Sequence, residues 1–205
     1  MAPVSMIYTI GHSNHPAEHF IALLRQHEID VVADVRSTPF SRFNPQFNRE
    51  KLTASLREAG MRYLFLGEEL GARSKDPGCY EGNRVSYTKL ARSDLFRQGL
   101  DRVLTEAREH RVALMCAERE PLDCHRTILV SRELERAGVA VTHILKDGLL
   151  ETHVQAMERL IASLGLPATD LFKTPADLFD EAYEVQASKV AYVRKERPGH
   201  APGGE

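Results

Sequence analysis

The chain has 205 residues, 42% hydrophobic and 27% charged, with a net charge of −2 and three cysteines. This fits one globular domain whose core needs no disulfide framework, and so few cysteines point to a reducing, cytoplasmic setting. The near-zero charge removes any global case for nucleic acid. No apolar run approaches the roughly 20 residues of a membrane span, and Met1–Met6 lacks the basic, apolar start of a secretion signal.

In chain order, Met6–Ile10 reads as a first strand, followed by the turn Gly11-His12-Ser13-Asn14. Pro16–Glu28 is helical, with Phe20, Leu23, Leu24 and His27 on one stripe. Ile29–Val35 is nearly continuously apolar, as a strand covered on both faces should be, and ends in Asp34-Val35-Arg36-Ser37. The loop Ser37–Phe47 interleaves Phe40, Phe43 and Phe47 with Arg42 and two prolines. Asn48 is a candidate N-cap for a helix carrying Leu52, Leu56 and Ala59, stopped by Gly60. Strand Met61–Leu66 follows, then the Gly-rich, charged loop Gly67–Ser86 with Arg73, Lys75, Tyr80, Arg84 and an exposed thiol, Cys79. Ser93 caps a helix expected to face Leu95, Leu100, Val103, Leu104 and Ala107 inward. Val112–Cys116 is again a buried strand, Asp123 caps a helix Cys124–Ala137 ended by Gly138, and Val139–Leu145 is a fifth strand.

This alternation predicts a three-layer α/β fold, a doubly wound and mainly parallel sheet of about five strands with extra C-terminal helices. Those helices are Leu149–Leu164 and one opening at Thr174-Pro175-Ala176-Asp177, a capping-box-like start, and running to about Val193. Leu178, Phe179, Ala182, Val185 and Ala191 are available to pack on the sheet. The single echo of Asp170-Leu171-Phe172 in Asp177-Leu178-Phe179 makes no repeat architecture. Residues 1–193 form the domain and 194–205 a flexible tail.

Three polar clusters follow apparent strands, at the carboxyl ends where α/β proteins bind ligands: His12 and Ser13; Asp34, Arg36 and Ser37; and Cys116, Glu118, Cys124, His125 and Arg126. With Asp123 as cap, Cys124 falls in a first helical turn, where unpaired N–H groups and the dipole favour a thiolate. The same N–H groups, with Arg126 as a bidentate partner, suit a phosphate or carboxylate. Cys116 reads as a buried thiol that Glu118, two residues on, reaches from the same side, and the two cysteines can face each other. Their spacing is neither Cys-x-x-Cys nor the Cys-x5-Arg of thiol phosphatases, because Leu122 stands where that arginine would be. Cys116, Cys124, His125 and His12 are zinc-ligand types. Adjacent Cys124 and His125, however, would splay about 100° apart on a helix, so no metal is expected. Gly11-His12-Ser13 lacks the Gly-x-Gly-x-x-Gly fingerprint, so no dinucleotide cofactor is expected. Asp34 orients Arg36 or His12 and leaves the guanidinium for an anion, or forms a purely structural ion pair.

With these residues in hand, the chain resembles the domain-of-unknown-function family DUF488, from about Ile7 to Val193. The resemblance rests on Thr9-Ile10-Gly11-His12-Ser13, on Asp34-Val35-Arg36-Ser37 with Pro39 and Ser41, and on Tyr63 with Leu66-Gly67 and Leu70-Gly71. It continues through Leu114-Met115-Cys116-Ala117-Glu118, Cys124-His125-Arg126, and Ala182-Tyr183 with Gln186. It implies an α/β sandwich in which the Cys-x-Glu and Cys-His-Arg segments are hallmarks.

Three functions are compatible with these residues. The first is an enzyme acting on a phosphorylated small molecule, a nucleotide or a nucleic-acid end. His12, Ser13, Arg36 and Arg126 hold the anion, Cys116 or Cys124 is the nucleophile, and Glu118 or His125 is the acid or base. The second is a nucleic-acid-binding module without chemistry, stacking bases on Phe40, Phe43 and Phe47 and holding phosphates with Arg36, Arg42 and Arg49. The third is a structural or interaction protein in which the clusters form a hydrogen-bonded core. No membrane partner is expected, and the sequence sets no oligomeric state.

Overall fold

The computed structural model describes residues 6–167 and 173–195. It is a three-layer α/β fold built on a six-stranded, mainly parallel sheet. The strands are β1 (Ile7–Gly11), β2 (Val31–Asp34), β3 (Arg62–Phe65), β6 (Val112–Cys116), β7 (Val141–Ile144) and β8 (Leu150–Thr152). A short hairpin, β4 (Tyr80–Glu81) with β5 (Arg84–Val85), lies in the Gly-rich loop. The sheet order is β3-β2-β6-β1-β7-β8, and only β8 runs antiparallel to its neighbour. The helices are α1 (Ala17–Gln26), α2 (Arg49–Glu58), α3 (Tyr87–Ala91), α4 (Asp94–Glu106), α5 (Arg132–Arg136), α6 (His153–Ser163) and α7 (Pro175–Val190). Among the described residues no helix is long and apolar enough to cross a membrane.

Successive strand residues point to opposite faces, and that parity divides the core in two. Tyr8, Ile10, Val32, Ala113 and Met115 face α1 and α2, packing on Phe20, Leu24, Leu52 and Leu56. Ile7, Val31, Ala33, Val112, Leu114 and Cys116 face the other layer, against Phe96 and Val103 of α4, Leu134 of α5, Met157 of α6, and Leu178 and Ala182 of α7. The central strands are buried along their whole length, as their unbroken apolar runs require.

Several local expectations are corrected. Leu149–Leu164 is not one helix: Leu150–Thr152 pairs with β7, and α6 opens at His153 because Thr152 and Gln155 make a reciprocal capping box. Val154 is consequently exposed. On α4 the inward stripe is Phe96, Gly99 and Val103, and Leu95, about 100° away from Phe96, points to solvent. Asn48 stands at the α2 N-cap position, but its Oδ1 accepts from the Ser41 backbone N–H instead. Helix α7 ends at Val190 rather than near Val193, and Val185 faces out. Cys79 is buried, its Sγ against Asp76 Oδ2 at 3.7 Å. Arg194, placed in the tail by sequence, is anchored through its N–H to the Asn83 carbonyl and through its guanidinium on the Tyr80 ring. The tail beyond Lys195 and the Asp170-Leu171-Phe172 echo lie outside the described residues.

Candidate active site

The central strands β2, β6 and β1 are neighbours, so the three polar clusters do meet at one edge of the sheet. The ladder continues past the strand ends, with the N–H groups of His12 and Ser13 bonded to the carbonyls of Cys116 and Ala117. Gly11 is required here. A Cβ at that position would lie 1.9 Å from the Glu118 carbonyl oxygen, so only glycine admits the loop carrying Glu118.

Strand parity then separates the clusters. Asp34, Arg36 and His12 lie with the α1 and α2 layer and form a closed network. Arg36 donates from Nε (2.9 Å) and Nη2 (2.6 Å) to the two Asp34 carboxylate oxygens, and from Nη2 to the Phe47 carbonyl. Its Nη1 donates to His12 Nε2 at 3.1 Å, and Tyr63 donates its hydroxyl to Asp34 at 2.7 Å. His12 donates from Nδ1 to the Ser13 carbonyl and stacks on Phe47, 4.2 Å between centroids. Ser13 adopts a left-handed φ of 49° to offer that carbonyl. Burial and the adjacent Arg36 charge bring the His12 pKa down to about 4, so the ring is a neutral acceptor. Burial and the Asp34 carboxylate push the Tyr63 phenol above its ordinary value.

Cys116 points to the opposite face. Its Sγ–H donates to Glu118 Oε2 at 2.9 Å, and Cys124 Sγ–H reaches the same oxygen at 3.0 Å. His125 Nδ1 faces both sulfurs, at 3.7 Å from Cys116 and 3.8 Å from Cys124. Its Nε2 donates to the Val35 carbonyl at 3.0 Å, which fixes the tautomer and leaves the Nδ1 lone pair directed at the sulfurs. The expectation that Cys124 and His125 diverge on a helix fails for a local reason. Pro121–Asp123 forms a 3₁₀ turn, and Asp123 caps nothing. Cys124 is extended (φ −132°, ψ 140°) and is itself the entry residue, its carbonyl accepting from Thr127 and Ile128 and its Sγ from the Arg126 N–H at 3.5 Å. A π-helical segment, Arg126–Ser131, then runs into α5.

Burial raises both thiols. For Cys116 the neighbouring Cys124 and Glu118 add to it, so this thiol stays protonated. For Cys124 burial is outweighed by the Cys116 hydrogen bond, the Arg126 charge and His125, which hold it well below an ordinary thiol. Burial opposes charging of His125, but Cys124 and Glu118 raise its pKa. Cys116 lines the adjoining cavity and Cys124 sits behind it, so the acidic sulfur is not the accessible one.

That cavity has a volume of about 220 Å³. Cys116, Glu118 and His125 line it with Arg36, Ser37, Thr38 and Arg73, and Val190 at the end of α7 and Tyr192 just past it wall it on the far side. Arg36 borders it with four of its five N–H donors spent on Asp34, His12 and Phe47. Arg126 does not reach it as an anion clamp. Its side chain is fully buried, donating to the carbonyls of Glu118 (2.6 Å) and Arg119 (3.2 Å), and so it pins the Glu118 loop. His12 and Ser13 also lie outside the lining, while Ser37 is on it, its Oγ accepting from the Arg73 N–H. Two lining groups were not among the candidate site residues read from the sequence. Arg73 lies over the Tyr192 ring and pairs with no carboxylate among the described residues; its loop, Gly67–Ser86, was the only signal. Tyr87, one residue past that loop, is buried with its hydroxyl unpartnered.

The structure is thus that of a three-layer α/β protein whose mainly parallel sheet gathers two thiols, a carboxylate and an imidazole at its strand ends, beside a cavity. The model of the family described as domain of unknown function DUF488 matches residues 16–132, more than half of the chain, which therefore belongs to that family. The match takes in the tetrad and Asp34, Arg36 and Tyr63, begins after His12, and ends before the α7 wall. A search of curated proteins finds no match.

Proposed function

We propose that this protein is an enzyme whose reacting centre is the tetrad Cys116, Glu118, Cys124 and His125. Its substrate is a phosphorylated small molecule or the phosphate-bearing end of a nucleotide. The observation that carries this reading is the cavity itself: it has Cys116, Glu118 and His125 of the tetrad on one side, with Asp123, and on the others Arg73, which has no carboxylate partner among the described residues, the Ser37 and Thr38 hydroxyls and the unpartnered Tyr87 hydroxyl. Cations and hydroxyls converging on a small concave space suit a compact anion. About 220 Å³ suits a phosphate with a small organic remainder, and a larger substrate would extend past Thr38 towards Phe40 and Phe43, which are 63% and 89% exposed. Glu118, the one exposed member of the tetrad, is the group that exchanges protons or ligands with substrate.

The reading as a nucleic-acid-binding module is weaker, because two of its groups are spent elsewhere. Arg36 is bound to Asp34, and Phe47 is buried under His12. The test is thermal stabilisation by inorganic phosphate and nucleoside monophosphates, followed by turnover of those that bind. Arg73→Ala should weaken binding about tenfold, the loss of one charge-assisted contact. Phosphates that fail to stabilise the protein at millimolar concentration, or an Arg73→Ala protein that binds them unchanged, would sink the proposal.

A further inference from the structure

The tetrad presents four ligand atoms, two sulfurs, a carboxylate oxygen and an imidazole nitrogen, all within 4.8 Å of one another. Among the described residues it is the only such grouping of His, Cys, Asp and Glu. We propose that these four side chains hold one divalent, thiophilic cation of the zinc class, with Glu118 as the exchangeable ligand. The inference rests on the tetrad being the reacting centre, and names what makes it one.

The distances carry it. Zinc bonds of about 2.3 Å to sulfur and about 2.0–2.1 Å to nitrogen place tetrahedral neighbours about 3.5–3.8 Å apart. The His125 Nδ1 distances to the sulfurs, 3.7 and 3.8 Å, fall in that range. The sulfur–oxygen distances of 2.9 and 3.0 Å are those of thiol hydrogen bonds, and Glu118, exposed, has room to move outward by the half-ångström a cation needs. Binding replaces the Cys116 thiol proton, and any proton the more acidic Cys124 still holds, by the cation and releases them to solvent.

The surroundings are those of a ligand shell. The Val35 carbonyl takes the His125 Nε2–H, the kind of outer contact that fixes a metal-bound imidazole. The Arg126 backbone N–H reaches Cys124 Sγ. The buried Arg126 guanidinium balances the single negative charge that two thiolates, one carboxylate and a dication leave. Three buried ligands and one exposed carboxylate facing a cavity make an open position, as reactive rather than purely structural sites have.

The experiment is a cobalt titration of the full chain, stripped of metal by chelation under reducing conditions. One equivalent should bind with sulfur-to-cobalt charge transfer and the intense visible bands of a tetrahedral ion, releasing at least the Cys116 proton. Cys116→Ser and Cys124→Ser, checked for fold by circular dichroism, should each weaken the charge-transfer band by about half, and the double variant should lose it. Glu118→Gln should keep that band and bind cobalt at least tenfold more weakly, and His15→Ala/His19→Ala should change nothing. Reduced protein that takes up no cobalt, a band of undiminished intensity in either single cysteine variant, or full affinity in Glu118→Gln overturns the proposal. Phosphate separates this inference from the reading beneath it. Cobalt bound but spectrally indifferent to phosphate leaves the metal standing and removes the anionic substrate. No cobalt, with Arg73-dependent phosphate binding intact, does the reverse.

Discussion

Two polar clusters stand at neighbouring strand ends, and they differ in how many of their valences are spent. In the His12–Asp34–Arg36 cluster almost every donor meets an acceptor inside the protein: the carboxylate takes two guanidinium bonds, a backbone bond and a phenol, and the imidazole is capped at both nitrogens. In the Cys116–Glu118–Cys124–His125 cluster two thiols crowd one carboxylate oxygen, and one imidazole lone pair faces two sulfurs. A closed network holds a fold in place, and a convergent one with spare lone pairs is built to receive something. Composition alone does not distinguish them, since both mix acid, base and histidine.

The contrast can be broken by substitution. Asp34→Ala leaves Arg36 buried without its counter-ion and should cost about 3–5 kcal/mol in denaturant unfolding, with phosphate and cobalt binding kept in the folded fraction. An Asp34→Ala protein as stable as the parent but unable to bind phosphate would invert the two roles. Acid sharpens the same point. His12 titrates near 4 in the folded chain against about 6.5 unfolded, so the stability it contributes is present above pH 6.5 and drains away as pH falls towards 4. Between pH 7 and pH 5 that is about 2 kcal/mol, visible as the part of the pH dependence of unfolding that a His12→Gln variant lacks. The smallest expected effect is on the open cluster. Cys116→Ser is nearly isosteric and keeps a hydroxyl for Glu118, so its unfolding free energy should move by less than about 1.5 kcal/mol while turnover disappears. A large stability loss there would make the tetrad part of the scaffold.

Much of this was readable in the residues. The strand ends were legible because Ile29–Val35 and Val112–Cys116 are nearly unbroken apolar runs whose first polar residues mark the edge of the sheet. The face on which each cluster lies was not. Asp34 and Cys116 point to opposite sides through a pairing register that sets Asp34 beside Met115, and register belongs to the assembled sheet. Cys124 was misplaced because Asp123 looks like a good N-cap, and nothing local says that a 3₁₀ turn spends it first. Arg126 read as an anion clamp because its targets, two carbonyls of the preceding loop, carry no side-chain signature. Strand β8 escaped because three residues, Leu150-Glu151-Thr152, are too few to show alternation. The far wall of the cavity, Val190 and Tyr192, comes from a helix distant in sequence, and only the docking of α7 brings it there.

The wide turn between His125 and Arg132 has a genetic consequence. A π-helical stretch holds an extra residue relative to regular α-helix, and Arg126–Ser131 is such a stretch, with Ser131 Oγ donating to the Arg126 carbonyl. Loss of one codon within it would let the chain relax into an ordinary α-helix with Leu134 still seated in the core, so the encoded protein should survive. The residues on either side would keep their phase about the helix axis, so Cys124 and His125 would stay against Cys116. In this gene a one-codon deletion within 126–131 should spare both the fold and the tetrad.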